Sequence, residues 1–151
     1  MSALQSSLFD TGTQPALGRR PLSLTRTHLD GHSWVDHRLS WVQGSDVLFD
    51  AVSHEAPWRA ERRQMYDRVV DVPRLVCWYD ANSPLPHDVL GEARLRLSAH
   101  YRAELPEGFA TAGLCLYRDG RDSVAWHGDT IGRGRTEDTL VAIVSLGAPR
   151  A

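Results

Sequence analysis

The sequence contains no lysine; all 17 basic residues are arginine. Arginine forms bidentate contacts with phosphate and carboxylate, but a coding bias toward arginine produces the same composition, so the absence identifies no partner. The net charge is −2. That value excludes a global positive field that would draw in nucleic acid, and any such binding must come from a local patch. No apolar run approaches the roughly 20 residues that a membrane span needs. The opening residues, MSALQSSLFD, lack the positive start and apolar centre of a secretion signal, so the expected location is cytoplasmic, with no membrane partner. Cysteine is scarce. Cys77 and Cys115 stand alone in the apolar stretches LVCWY and GLCLY, without the paired spacing of a zinc ribbon, and read as two free thiols. Internal repeats and low-complexity tracts are missing as well.

What remains is a chain of 151 residues with 42% hydrophobic content, which suits one folded domain. Residues 1–22 show no sustained periodicity and are expected to be poorly ordered; residues 23–151 are expected to form the domain. LSLTRTHL (22–29) alternates like a strand, and a second strand and turn are expected within 31–43. Ser45 reads as an N-cap, with Val47, Leu48, Ala51 and Val52 on one face of a helix that ends at Pro57. RVVDVPRLVCWYD (68–80) reads as two strand segments broken at Pro73. The clearest helix follows, with Val89, Leu90, Ala93, Leu97 and Tyr101 in a stripe. After Gly108 the character changes to strand over 111–118, 123–129 and the apolar run TLVAIVSLG (139–147), which reads as a buried strand.

Within 117–135 lies the triplet His127, Gly128, Asp129. On a strand, residues two apart point the same way. An imidazole and a carboxylate on one side can share a metal ion and leave positions open, as in non-haem Fe(II) oxygenases. Spacing alone does not decide this, because His28, Asp30 and His32 repeat the separation, although Gly31 is expected to turn the chain between them.

The run LCLYRDGRDSVAWHGDTIGRGRTEDTLVAIVSLGAPR resembles the core of the AlkB-like family of Fe(II)- and 2-oxoglutarate-dependent dioxygenases. The likeness covers about 113–150: a Tyr-containing strand, a short turn, the DSVAWHGD run and a segment ending SLGAPR. A looser likeness reaches MYDRVVDVPRLVCWY (65–79). The resemblance implies an α+β fold carrying part of a double-stranded β-helix (jelly-roll), with supporting N-terminal helices and strands. It implies that His127 and Asp129 bind Fe(II) and that Tyr117 reaches toward the cosubstrate 2-oxoglutarate. Cys115 stands on the cosubstrate side where the family often has Asn, and a thiol cannot supply that amide. Trp78 and Tyr79 are implied to lie near a pocket for an extruded base, where aromatic faces stack; both read equally as core aromatics. Arg133 could contact phosphate, or lie in a solvated loop balanced by Glu137 and Asp138. No separate catalytic acid or base is implied. Ile131 stands where many members carry an acidic residue that bears on base choice.

The implied activity is oxidative demethylation of alkylated DNA or RNA bases, single-stranded or flipped, as in DNA repair. No histidine follows His127, whereas the family's second metal histidine and its 2-oxoglutarate arginines come later, so the chain is expected to be C-terminally incomplete. Two alternatives stay open: a catalytically inactive fragment that binds nucleic acid or a partner chain, and a hydroxylase of a non-nucleic-acid substrate. Oligomeric state, and the choice of lesion, are not encoded in any motif.

Overall fold

The computed structural model describes residues 13–19, 21–65, 67–124 and 140–149. Among these described residues, seven strands and two helices make a mixed α+β arrangement. Strand β1 (Ala16–Leu17) pairs with β4 (Val42–Gln43), and β2 (Thr25–His28) pairs with β3 (Trp34–His37) in an antiparallel hairpin. Strands β5 (Arg59–Met65), β6 (Arg68–Tyr79) and β7 (Ala112–Leu116) form an antiparallel sheet in that order. Helix α1 (Ser45–Glu55) precedes β5, and α2 (Asp88–His100) precedes β7. Among the described residues, no helix is long and apolar enough to cross a membrane.

One core joins these elements. Leu48 and Val52, one turn apart on α1, meet Val89 and Ala93 of α2, with Leu17, Ala56 and Cys77 buried between them. Trp41, Trp58, Tyr79, Leu90, Leu114 and Leu146 pack around this cluster. The α2 stripe falls where the sequence periodicity puts it, since Val89, Ala93 and Tyr101 are buried. Its first turn is capped by His87, whose Nδ1 accepts from the Val89 N–H at 3.2 Å.

Three local expectations change. Ser45 is the first residue of α1, and the cap position belongs to Gly44. Gly44 has φ +60°, and a Cβ there would lie 2.1 Å from the Thr13 carbonyl oxygen, so glycine is required on two counts. Strand β6 runs unbroken through Pro73. A β-bulge interrupts the β5–β6 register between Ala60 and Arg62, and the ladder resumes at Ala60–Leu75. Pro73 thus sits where the ladder asks for no N–H. Finally, residues 140–149 form no strand, and Val141 and Ile143 are 54% and 82% exposed. Ala142 and Val144 instead line a small gap against Leu90, Ala93 and Leu114. Strand β5 is absent from the sequence reading because RAERRQM shows no β pattern; its pairing with β6 overrides its composition.

The hairpin β2–β3 is docked onto the end of α2 by one polar cluster. Arg26 donates from Nε and Nη2 to the two Asp36 carboxylate oxygens, both at 2.7 Å, and Tyr101 donates its hydroxyl to Asp36 at 2.9 Å. The Arg26 guanidinium also lies 3.7 Å from the centre of the Trp34 ring, which stacks on Tyr101. The Arg26 guanidinium beside it, helped by the Tyr101 hydroxyl, holds the Asp36 carboxyl below its usual range. Burial, then the Asp36 carboxylate, pushes the Tyr101 hydroxyl up.

Candidate functional site

Strands β6 and β7 pair Trp78 with Gly113, Cys77 with Leu114 and Val76 with Cys115. Directly paired residues share a face, and the alternation divides the sheet. Cys77, Tyr79 and Leu114 face the helices and pack on the core. Trp78, Gly113, Val76 and Cys115 face the other way, together with Arg59, which pairs with Val76 from β5.

On that face, where Val76 is buried and Trp78 exposed, the Trp78 indole lies across Gly113. A Cβ at Gly113 would come within 2.5 Å of Trp78 Cζ3 and 2.9 Å of Cε3 and Cη2. Glycine therefore lets the ring lie against the backbone, and the ring is 60% exposed. Cys115 is exposed beside it. Sequence reasoning missed Gly113, although a lone glycine inside the strand pattern AGLCL signals a close approach.

The two aromatic candidates are thus separated. Trp78 belongs to the open face, while Tyr79 is half-buried on the core side, where burial and then the Cys77 thiol push its hydroxyl up. Burial pushes the Cys77 thiol up as well. Cys77 and Cys115 occupy opposite faces and are free thiols.

Tyr117 follows the end of β7 and is half-buried. Beyond it the chain makes a tight, charge-clamped turn. Asp122, buried, accepts from the Arg118 backbone N–H at 2.8 Å, from Arg118 Nε at 2.7 Å and from Nη2 at 2.8 Å. Arg118 holds the Asp122 carboxyl below its usual range. Across the turn Arg121 binds Asp119 through Nη2 at 2.7 Å and through its backbone N–H at 2.8 Å, which lowers that carboxyl to about 2. The chain then returns to β6: the Ser123 N–H donates to the Pro73 carbonyl at 2.8 Å, and Arg74 Nη1 donates to the Ser123 carbonyl at 3.3 Å. The run DSVAWHGD therefore starts from a point anchored on the same sheet as Trp78 and Cys115. His127, Asp129 and Arg133 lie outside the described residues.

The competing set has a different role. Asp30 accepts from the backbone N–H groups of His32 and Ser33 at 2.8 and 2.6 Å, and these bonds lower its carboxyl. It is the side chain that closes the β2–β3 turn. Among the described residues, no group of three His, Cys, Asp or Glu side chains is placed to hold a metal ion. The sequence matches no protein-family model and no curated protein.

Proposed function

We propose that the chain is an AlkB-like Fe(II)- and 2-oxoglutarate-dependent dioxygenase that demethylates alkylated DNA or RNA bases, and that its sheet belongs to a double-stranded β-helix. The observation that carries the reading is the open aromatic face. An exposed indole laid across a glycine offers a planar stacking surface, and Arg59, paired with Val76, puts a cation on the same face of the sheet. That is the chemistry by which proteins hold an unstacked base. The turn 117–124 is anchored on the same sheet, and His127 and Asp129 follow it in the sequence. A neutral imidazole and a carboxylate fit Fe(II) as a donor pair. Iron and 2-oxoglutarate, when bound, supply the oxidation. The chain's own part is to stack the base on Trp78 and to hold the imidazole and carboxylate donors; Tyr117 reaches toward the cosubstrate.

The test is affinity and turnover on a single-stranded oligonucleotide with one methylated base. Trp78→Ala is expected to weaken binding about ten- to hundredfold, the effect of losing one base–aromatic stack. Unchanged binding in Trp78→Ala removes the support for this reading. A second reading, a nucleic-acid-binding module without chemistry, is favoured by the fact that Trp78, Gly113 and Arg59 make the face without any metal ligand. It predicts the same loss in Trp78→Ala, with His127→Ala silent in binding and no succinate formed from 2-oxoglutarate by the unmodified chain.

A further inference from the structure

The molecule has a second concave feature, on the helix side of the fold and away from the Trp78 face. A cavity of about 450 Å³ opens between the segment after β1, the residue before β4 and the last turns of α2. That volume lies within the range of small-molecule sites. Arg19, Leu22, Trp41, Arg96, Ala99 and His100 line it, and no carboxylate is among the described residues that line it. Next to Arg19, the Gly18 N–H donates to the Trp41 carbonyl at 2.7 Å, which holds the tryptophan against this segment.

The charges around this cavity do not cancel. Arg96 donates from Nη1 to the Gly18 carbonyl at 2.5 Å and from Nη2 to Glu92, so one cation there is balanced. Its Nε is buried and has no acceptor among the described residues, and the same is true of Arg38 Nε. Arg38 stands near Gly18 but outside the cavity lining, with Nη1 donating to the Ser23 carbonyl at 2.9 Å. Arg19 is exposed at the rim, with no carboxylate paired to it among the described residues. Asp36, the acid of the β2–β3 hairpin, is already engaged by Arg26 and Tyr101. Among the described lining residues Arg96 is matched by Glu92, and Arg19 is the arginine without a paired carboxylate. The C-terminal end of α2 opposes an anion by a fraction of a charge. The exposed Arg19 guanidinium at the rim outweighs it, and its N–H groups are the donors an oxyanion takes.

We propose that this cavity binds a small organic oxyanion, a phosphomonoester or carboxylate on a ring-sized apolar body. The anion meets Arg19 at the rim, and the apolar body lies on Trp41, Leu22 and Ala99. The site is separate from the Trp78 face and does not depend on iron.

Isothermal titration calorimetry of the full chain at low salt tests this, with phenyl phosphate, benzoate, phenol and inorganic phosphate as probes. Phenyl phosphate is expected to bind, with benzoate alongside it, phenol not at all, and inorganic phosphate at least about tenfold more weakly. Arg19→Glu, a change at an exposed position that leaves the fold intact, is expected to weaken phenyl phosphate about tenfold or more. Arg68→Glu, on the β5–β6 hairpin, is expected to leave it unchanged. Absence of binding at millimolar concentration, equal affinity in Arg19→Glu, or inorganic phosphate binding as tightly as phenyl phosphate overturns the proposal. So does loss of binding in Trp78→Ala with retention in Arg19→Glu, because the ligand then sits on the sheet face.

Discussion

Asp36 is the point where a substitution should report most directly on how the hairpin is held. Its side chain is 6% exposed and accepts three hydrogen bonds, two from Arg26 and one from Tyr101. Asp36→Asn keeps the shape but turns one acceptor oxygen into an NH₂ group facing an Arg26 donor. The Arg26 side chain is 39% exposed, so water can solvate the freed guanidinium and the cost there is small. What remains is the loss of charge assistance at a buried acceptor, about 2 kcal/mol. For a chain of this size that is about 4–8 °C in Tm. Urea unfolding at pH 7, with Tyr101→Phe and the double variant completing a cycle, measures it. The coupling between Asp36 and Tyr101 should be about 1 kcal/mol. The Asp36 carboxyl is lowered in the fold, so its stabilisation is present above the unfolded carboxyl's pKa, about 4. It disappears as pH falls through the lower folded value, and the gap between wild type and Asp36→Asn should close there. Tyr101 has the opposite sense: its hydroxyl is raised, so its contribution is complete below about pH 10 and is lost as pH rises. An Asp36→Asn protein as stable as wild type at pH 7, or a gap that widens in acid, refutes the reasoning.

Other outcomes follow from the packing. Leu48 is fully buried at the centre of the core, so Leu48→Ala should cost about 2–5 kcal/mol in urea unfolding, far more than the same change at exposed Leu95. Cys115 should react with a maleimide in the native protein while Cys77, buried and with its thiol pushed up, should react only after unfolding; equal rates contradict the assignment of faces. Gly113→Val should displace the Trp78 ring, read as a change in quenching of indole fluorescence by acrylamide, because a Cβ there collides with the ring at 2.5 Å.

The sequence displays the features that rest on strong local periodicity. The α2 stripe is one, because Val89, Ala93 and Tyr101 repeat at helical spacing, although Arg96, expected to be solvated, is largely covered. The β7 strand is another, since AGLCL alternates cleanly. Strand β5 is hidden because four of its seven residues, Arg59, Glu61, Arg62 and Arg63, are charged, and only the partner strand explains their conformation. Pro73 misleads because a bulge opposite it, invisible in one strand's sequence, removes the need for its missing N–H. The Gly44 cap turns on contact with Thr13 and Gln14, a tertiary fact. At the candidate site, the aromatic pair Trp78–Tyr79 is legible as important, but adjacent strand residues must face opposite ways, and that alternation alone separates a platform from a core residue. The cavity beside Arg19 has no sequence signature, because its walls come from three distant segments.

The proposed activity requires that His127 and Asp129 together bind one Fe(II). Anaerobic titration with Mn(II) as a paramagnetic stand-in, followed by electron paramagnetic resonance with 2-oxoglutarate present, tests it most directly. The account predicts one bound ion per chain, lost in His127→Ala and in Asp129→Asn, with Trp78→Ala still loading metal normally. Metal uptake unaltered by both ligand substitutions, or no uptake by the unmodified chain, contradicts it.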